Sequence, residues 1–123
     1  MELKIYEKKR TGIRSDSKFP MLYVGKSTIS FNEVSSEKLN LKKGSEILFA
    51  SNNGTFYVAN VTDSELRGYK LSVGNKSIRL QTSVAAFLKD SKIKQGHYTI
   101  SGFAVFNEKS KLDFYELIYN GLN

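Results

Sequence analysis

The stretch from Ser27 to Phe49 constrains the chain most, because its hydrophobic period changes twice over a short span. Thr28-Ile29-Ser30-Phe31 alternates polar and apolar residues, the two-residue period of a half-buried strand. Asn32 follows with a side chain suited to capping a helix. Val34, Leu39 and Leu41 then give a short helix one apolar side. Lys42-Lys43-Gly44 is expected to stop that helix, since glycine enters the left-handed conformation freely. Glu46-Ile47-Leu48-Phe49 returns to a strand pattern.

Upstream, Leu3 and Ile5 alternate with Lys4 and Tyr6, as a short strand would. Residues 8–20 hold few apolar side chains, one glycine and the only proline, and read as a flexible arm. Met21 to Val24 are apolar enough for a strand, and Gly25-Lys26-Ser27 is a turn. Downstream, Asn53-Gly54 predicts a tight hairpin into a strand over 55–61. Tyr69, Leu71 and Val73 alternate with Lys70 and Ser72 and predict another strand.

The opening pattern then returns. Ser77-Ile78-Arg79-Leu80 matches Thr28 to Phe31, and Gln81 to Asp90 predicts a helix capped by Thr82 or Ser83. Ile93-Lys94-Gln95-Gly96 matches Leu41-Lys42-Lys43-Gly44. A turn over 107–111 leads to a strand over 113–118, and residues 119–123 read as a frayed tail. The reading is a basic arm with a strand over 1–26, then one domain over 27–123. That domain consists of two strand–helix–strand–strand repeats, 27–61 and 77–118. The expected fold is mainly β (α+β), a tandem β-α-β-β, barrel-like domain with two short helices. A plain β-barrel or sandwich with one helix is the alternative.

Composition narrows the chemistry. Eight Phe and seven Tyr in 123 residues suffice for a core. The absence of cysteine removes disulfides, thiolate metal sites and a cysteine nucleophile. No apolar run reaches the ~18 residues of a membrane span, and the N-terminus lacks a secretory signal's apolar core. A cytoplasmic protein without a membrane partner is expected. One histidine, His97, stands without a spaced metal-ligand or catalytic partner, and no G-x-S-x-G or phosphate-binding glycine loop occurs. Neither enzyme activity, nor a metal, nor a cofactor is expected. The aromatic residues of the strands read as core, with base-stacking platforms for single strands as the alternative.

Charge points to a polyanion. Lysine and arginine outnumber acids by 19 to 12, a net +7. Residues 1–26 carry seven of those cations against Glu2, Glu7 and Asp16. Lys8, Lys9, Arg10, Arg14 and Lys18 can neutralise phosphates along a groove, and Lys26, Arg67, Lys70, Lys76 and Arg79 flank strands that could extend the surface. The expected partner is nucleic acid, duplex DNA first, with a homo-oligomer or a protein partner also open.

Ile29-Ser30-Phe31, Glu37-Lys38-Leu39-Asn40-Leu41, Lys42-Lys43-Gly44-Ser45 and Ile47-Leu48-Phe49 together resemble the AbrB-type swapped-hairpin family of bacterial transition-state regulators and antitoxins. The resemblance covers residues 27–61 and, more loosely, 77–118. The chain departs from that pattern with Asn32-Glu33 where the family has proline, and with Ser45 and His97 where it has an acid. The resemblance implies a barrel of two copies, here joined in one chain, and DNA binding through basic residues on loops and first strands. A DNA-binding transcriptional regulator is therefore the leading expectation. A phage or mobile-element interaction module and a single-strand binder are the alternatives.

Overall fold

The computed structural model describes residues 19–62, 64–73 and 80–122. The element order is β1 (Met21–Val24), β2 (Thr28–Phe31), α1 (Glu33–Lys38), β3 (Glu46–Asn52) and β4 (Thr55–Asn60). It continues β5 (Tyr69–Lys70), β6 (Ser72–Val73), β7 (Leu80–Ser83), α2 (Ala85–Ser91), β8 (Gly96–Asn107) and β9 (Leu112–Gly121). The fold is mainly β with two short helices, and strand–helix–strand–strand occurs twice, as the sequence implies.

One antiparallel sheet runs β5-β3-β4-β9-β8-β1-β2-β7-β6. Its two end strands are consecutive in the chain, separated only by Leu71. The sheet therefore bends round into a nearly closed barrel. β2 pairs β7, and β4 pairs β9, each antiparallel. Like strands of the two halves thus lie side by side in opposite directions, as a pseudo-twofold axis requires. Each hairpin also docks on the opposite half: β8 joins β1, and β3 joins β5. Residues 21–24, grouped with the arm in the sequence reading, pair on both edges and belong to the wall.

Alternation decides what faces in. Leu22, Val24, Ile29, Phe31, Ile47, Val58 and Ile100 are fully or almost fully buried in one cluster with Leu71, Leu80, Val84 and Leu117. Phe87 of α2 stacks on Phe49 of β3, with ring centroids 4.8 Å apart, and meets Phe56 of β4 edge-on. The second half's helix therefore seals the first half's hairpin.

The local signals held in part. Asn53 and Gly54 both have positive φ in a two-residue hairpin, as that pair demands. Asn32 caps α1 through Oδ1, which accepts the Ser35 N–H at 2.9 Å. Gly44 is left-handed but does not end α1; the helix stops at Lys38 and Asn40 is already left-handed (φ 56°). Nor does α2 begin at Gln81. Gln81 to Ser83 pair with β2, Thr82 turns inward, and Val84 is the N-cap residue, with no side-chain cap bond. Ladder bonds and burial outcompete the weak helix preference there. Residues 119–121 are no frayed tail: β9 extends to Gly121, opposite His97.

Asn32 has a second task. It is 1% exposed, its Oδ1 also accepts the Met21 N–H at 3.1 Å, and its Nδ2 donates to the Phe19 carbonyl at 2.9 Å. It thereby ties the start of β1 to the end of β2. Asn32→Ala should cost about 2–3 kcal/mol, combining a lost cap with a stranded donor. The midpoint of urea unfolding measures this, and a shift equivalent to less than about 0.5 kcal/mol would contradict it.

Candidate nucleic-acid interface

The wall formed by β1, β2, β7 and β6 has a distinctive outer face. Leu22, Val24, Ile29, Phe31, Leu80 and Thr82 point inward. The alternate residues, Tyr23, Thr28, Ser30, Gln81, Ser83 and Ser72, therefore point outward. Ser30 lies opposite Gln81, Thr28 opposite Ser83, and Ser72 also opposite Gln81. None of these four strands contains an acid. The face is a patch of uncharged hydrogen-bonding side chains.

Lysines sit at two corners of that wall. At one corner Val24 pairs with Gly96, and Lys26 and Lys94 each lie two residues beyond that pair. Ser27 accepts the Val84 N–H here, so the β1–β2 turn is fixed to the start of α2. At the other corner Gly44 N–H donates to the Leu71 carbonyl at 3.0 Å, which brings Lys42 and Lys43 to the β5–β6 junction. Lys26, Lys42, Lys43 and Lys94 are all exposed. Gly44 and Gly96 both have positive φ, so the two helix-exit turns are matching parts of the two halves. About four strand residues at ~3.3 Å and three strand spacings at ~4.8 Å set the corners on the order of 20 Å apart.

Three of the cations proposed from sequence are placed. Lys26 is one of the corner residues. Arg67 and Lys70 are exposed on the segment entering β5, where Lys70 pairs with Glu46. Glu46 Oε1 accepts the Gly68 N–H at 3.0 Å, so an acid stands beside that pair of cations. β7 separates β2 from the β5–β6 segment, so these two do not join Lys26. Lys8, Lys9, Arg10, Arg14, Lys18, Lys76 and Arg79 lie outside the described residues.

The sequence reading missed Lys42, Lys43 and Lys94. The signal was present, since the repeated Lys-x-Gly turn puts a lysine at the same place in each half. Only the pairing of β8 with β1 puts Lys94 beside Lys26.

The lone histidine is 8% exposed, and its ring lies 4.9 Å from that of Tyr23. Among the described residues no group of His, Cys, Asp or Glu could hold a metal ion, and no helix is long and apolar enough to cross a membrane. Phe49, Phe56 and Phe87 pack on the core, whereas Phe103 and Phe106 are exposed. No family model matches the chain, and neither does a curated protein or a solved structure.

Tyr98 anchors the turn that presents Lys94. Its hydroxyl donates to the Lys94 carbonyl at 2.7 Å, and its ring packs on Tyr119 at 5.0 Å. Burial, with a smaller contribution from neighbouring Tyr119, raises the Tyr98 hydroxyl above its ordinary value. The folded chain therefore keeps this proton to higher pH than the unfolded chain does. The associated stability is complete below pH ~10, the unfolded value, and is lost as pH rises above it. Tyr98→Phe should lose about 1 kcal/mol at neutral pH and flatten that alkaline decline in a denaturation series. An unchanged alkaline decline would contradict the assignment.

Proposed function

We propose that the chain is a non-enzymatic DNA-binding protein, a transcriptional regulator, that takes duplex DNA on the outer face of the β1–β2–β7–β6 wall. The observation that carries this reading is the acid-free polar face with lysines at both of its corners. A net charge of +7 attracts the phosphate backbone from a distance. At contact, Lys26 and Lys94 meet one run of phosphates and Lys42 and Lys43 another, across a groove ~12 Å wide. Gln81, Ser30, Thr28 and Ser83 then face base edges, where amide and hydroxyl groups can hydrogen-bond. A sheet face in a groove is one of the known modes of reading DNA. The reading extends the AbrB-type resemblance: one chain supplies both halves of the barrel, so one chain suffices for a twofold-related contact.

Fluorescence anisotropy with a short duplex tests the proposal. Binding should weaken steeply between about 50 and 200 mM salt. Lys26→Ala with Lys94→Ala should lower the slope of log K against log salt by about 2 and weaken all duplexes alike. Lys42→Ala with Lys43→Ala should do the same. Gln81→Ala should instead shift the preference among sequences by about 1–3 kcal/mol. Absence of binding at ~50 mM salt, where the phosphate contribution is largest, would refute the proposal.

A further inference from the structure

The β8–β9 hairpin is longer than its counterpart β3–β4. Between Ile100 and Ala104 the register with β9 shifts, and beyond it the two strands continue paired from Ala104–Tyr115 to Asn107–Leu112. A shift of this kind bends a strand and turns it out of the sheet. The root of the ribbon is braced: Lys38 Nζ donates to the Gly102 carbonyl at 3.4 Å and lies 5.0 Å from the centre of the Tyr115 ring. Phe103 N–H is engaged as well, donating to Ser101 Oγ at 3.2 Å.

Past that brace one edge is open. β1 pairs β8 only over residues 96–99, and among the described residues no strand lies beside Ala104–Asn107 on that side. The side chains are apolar and uncovered: Phe103 is 87% exposed, Val105 56% and Phe106 55%. Ser101 to Asn107 contain no charge and no proline. Edges that remain solitary are usually guarded by lysine, proline or inward charges, and an unguarded apolar edge invites another strand.

Charge disfavours one occupant and leaves the edge free to pair with its own copy, since Ser101–Asn107 would set no like charges opposite each other. Residues 101–116 carry Lys109 and Lys111 against Glu108, Asp113 and Glu116, a net −1 on a chain of +7. Nucleic acid is therefore disfavoured here. Two copies of so basic a chain repel through their other surfaces, whereas the ribbon is slightly anionic and its β8 strand uncharged. An antiparallel strand pair about a twofold axis is self-complementary, with residues of one face opposite each other. Val105 set against Val105 of the other copy brings Ala104 opposite Phe106.

We propose that the chain dimerises through antiparallel pairing of the Ala104–Asn107 edges of two copies, making one four-stranded sheet from two ribbons. The proposal stands apart from the DNA reading, because it uses none of the wall residues. Under it the dimer carries two walls, one per copy.

Sedimentation velocity over rising protein concentration tests it. The wild-type mass should move from the 13.9 kDa of one chain to twice that value. Val105→Lys and Val105→Glu should each hold the mass at one chain, since like charges then face each other. Their circular dichroism should match the wild type, because the site is exposed. Mixing the two variants should restore the double mass, as opposite charges meet. A wild-type chain that stays single at all concentrations would overturn the proposal, and so would a dimer that survives both substitutions. Charged variants that stay single when mixed would overturn it too.

Discussion

The barrel depends on the passage of one short segment from the edge of β3 to the edge of β7. Leu71 sits at its corner, 1% exposed, donating its N–H to the Ser45 carbonyl at 2.8 Å and accepting from Gly44 N–H. On either side of it Ile47 faces Tyr69 and Val73 faces Leu80. Without that bridge the sheet would have two open edges on strands rich in apolar residues, a known liability. With it, the first strands of the halves are brought together as a continuous wall. The lysine-bearing turn at Gly44 is fixed by the same bonds. Core closure and the proposed interface therefore share one set of contacts.

The division of the surface follows. Inward alternation on β1, β2 and β7 consumes the large aliphatic side chains and Phe31, which leaves hydroxyl and amide residues outside. The lysines that follow α1 and α2 cannot enter the core and collect where the chain turns back into a strand. The β8–β9 ribbon breaks the pattern, with exposed phenylalanines and a slight excess of acid. A polar wall with lysines at its corners and a slightly anionic ribbon with an apolar edge match the two proposed contacts, one with a polyanion and one with protein. The two proposed contacts rest on different physics, one screened by salt and the other largely indifferent to it.

Much of the local structure was legible in the sequence. The Asn53-Gly54 turn, the Asn32 cap and the alternation of β2 rest on short-range chemistry, and each occurs where the residues indicate. The repeat was legible because Lys-x-Gly recurs. What could not be read depends on long-range pairing. Gln81 to Ser83 look like a helix start until β2 is laid beside them. The residues 119–121 look like a tail until β8 supplies their partner. Of the site, Lys26 was legible as a turn lysine. Its neighbour Lys94 is sixty-eight positions away in the chain and becomes a neighbour only through the β1–β8 ladder. Runs of lysine after a helix look like solvated ends until the topology sets them at the corners of one wall.

The most direct measurement is nuclear magnetic resonance mapping of backbone amides as a short duplex is added. Shifts should concentrate at Thr28, Ser30, Gln81 and Ser83 and at the turns bearing Lys26, Lys42, Lys43 and Lys94. The amides of Ala104 to Asn107 should stay where they are. Shifts centred on the ribbon, or none anywhere on the wall at saturating duplex, would contradict the proposed interface.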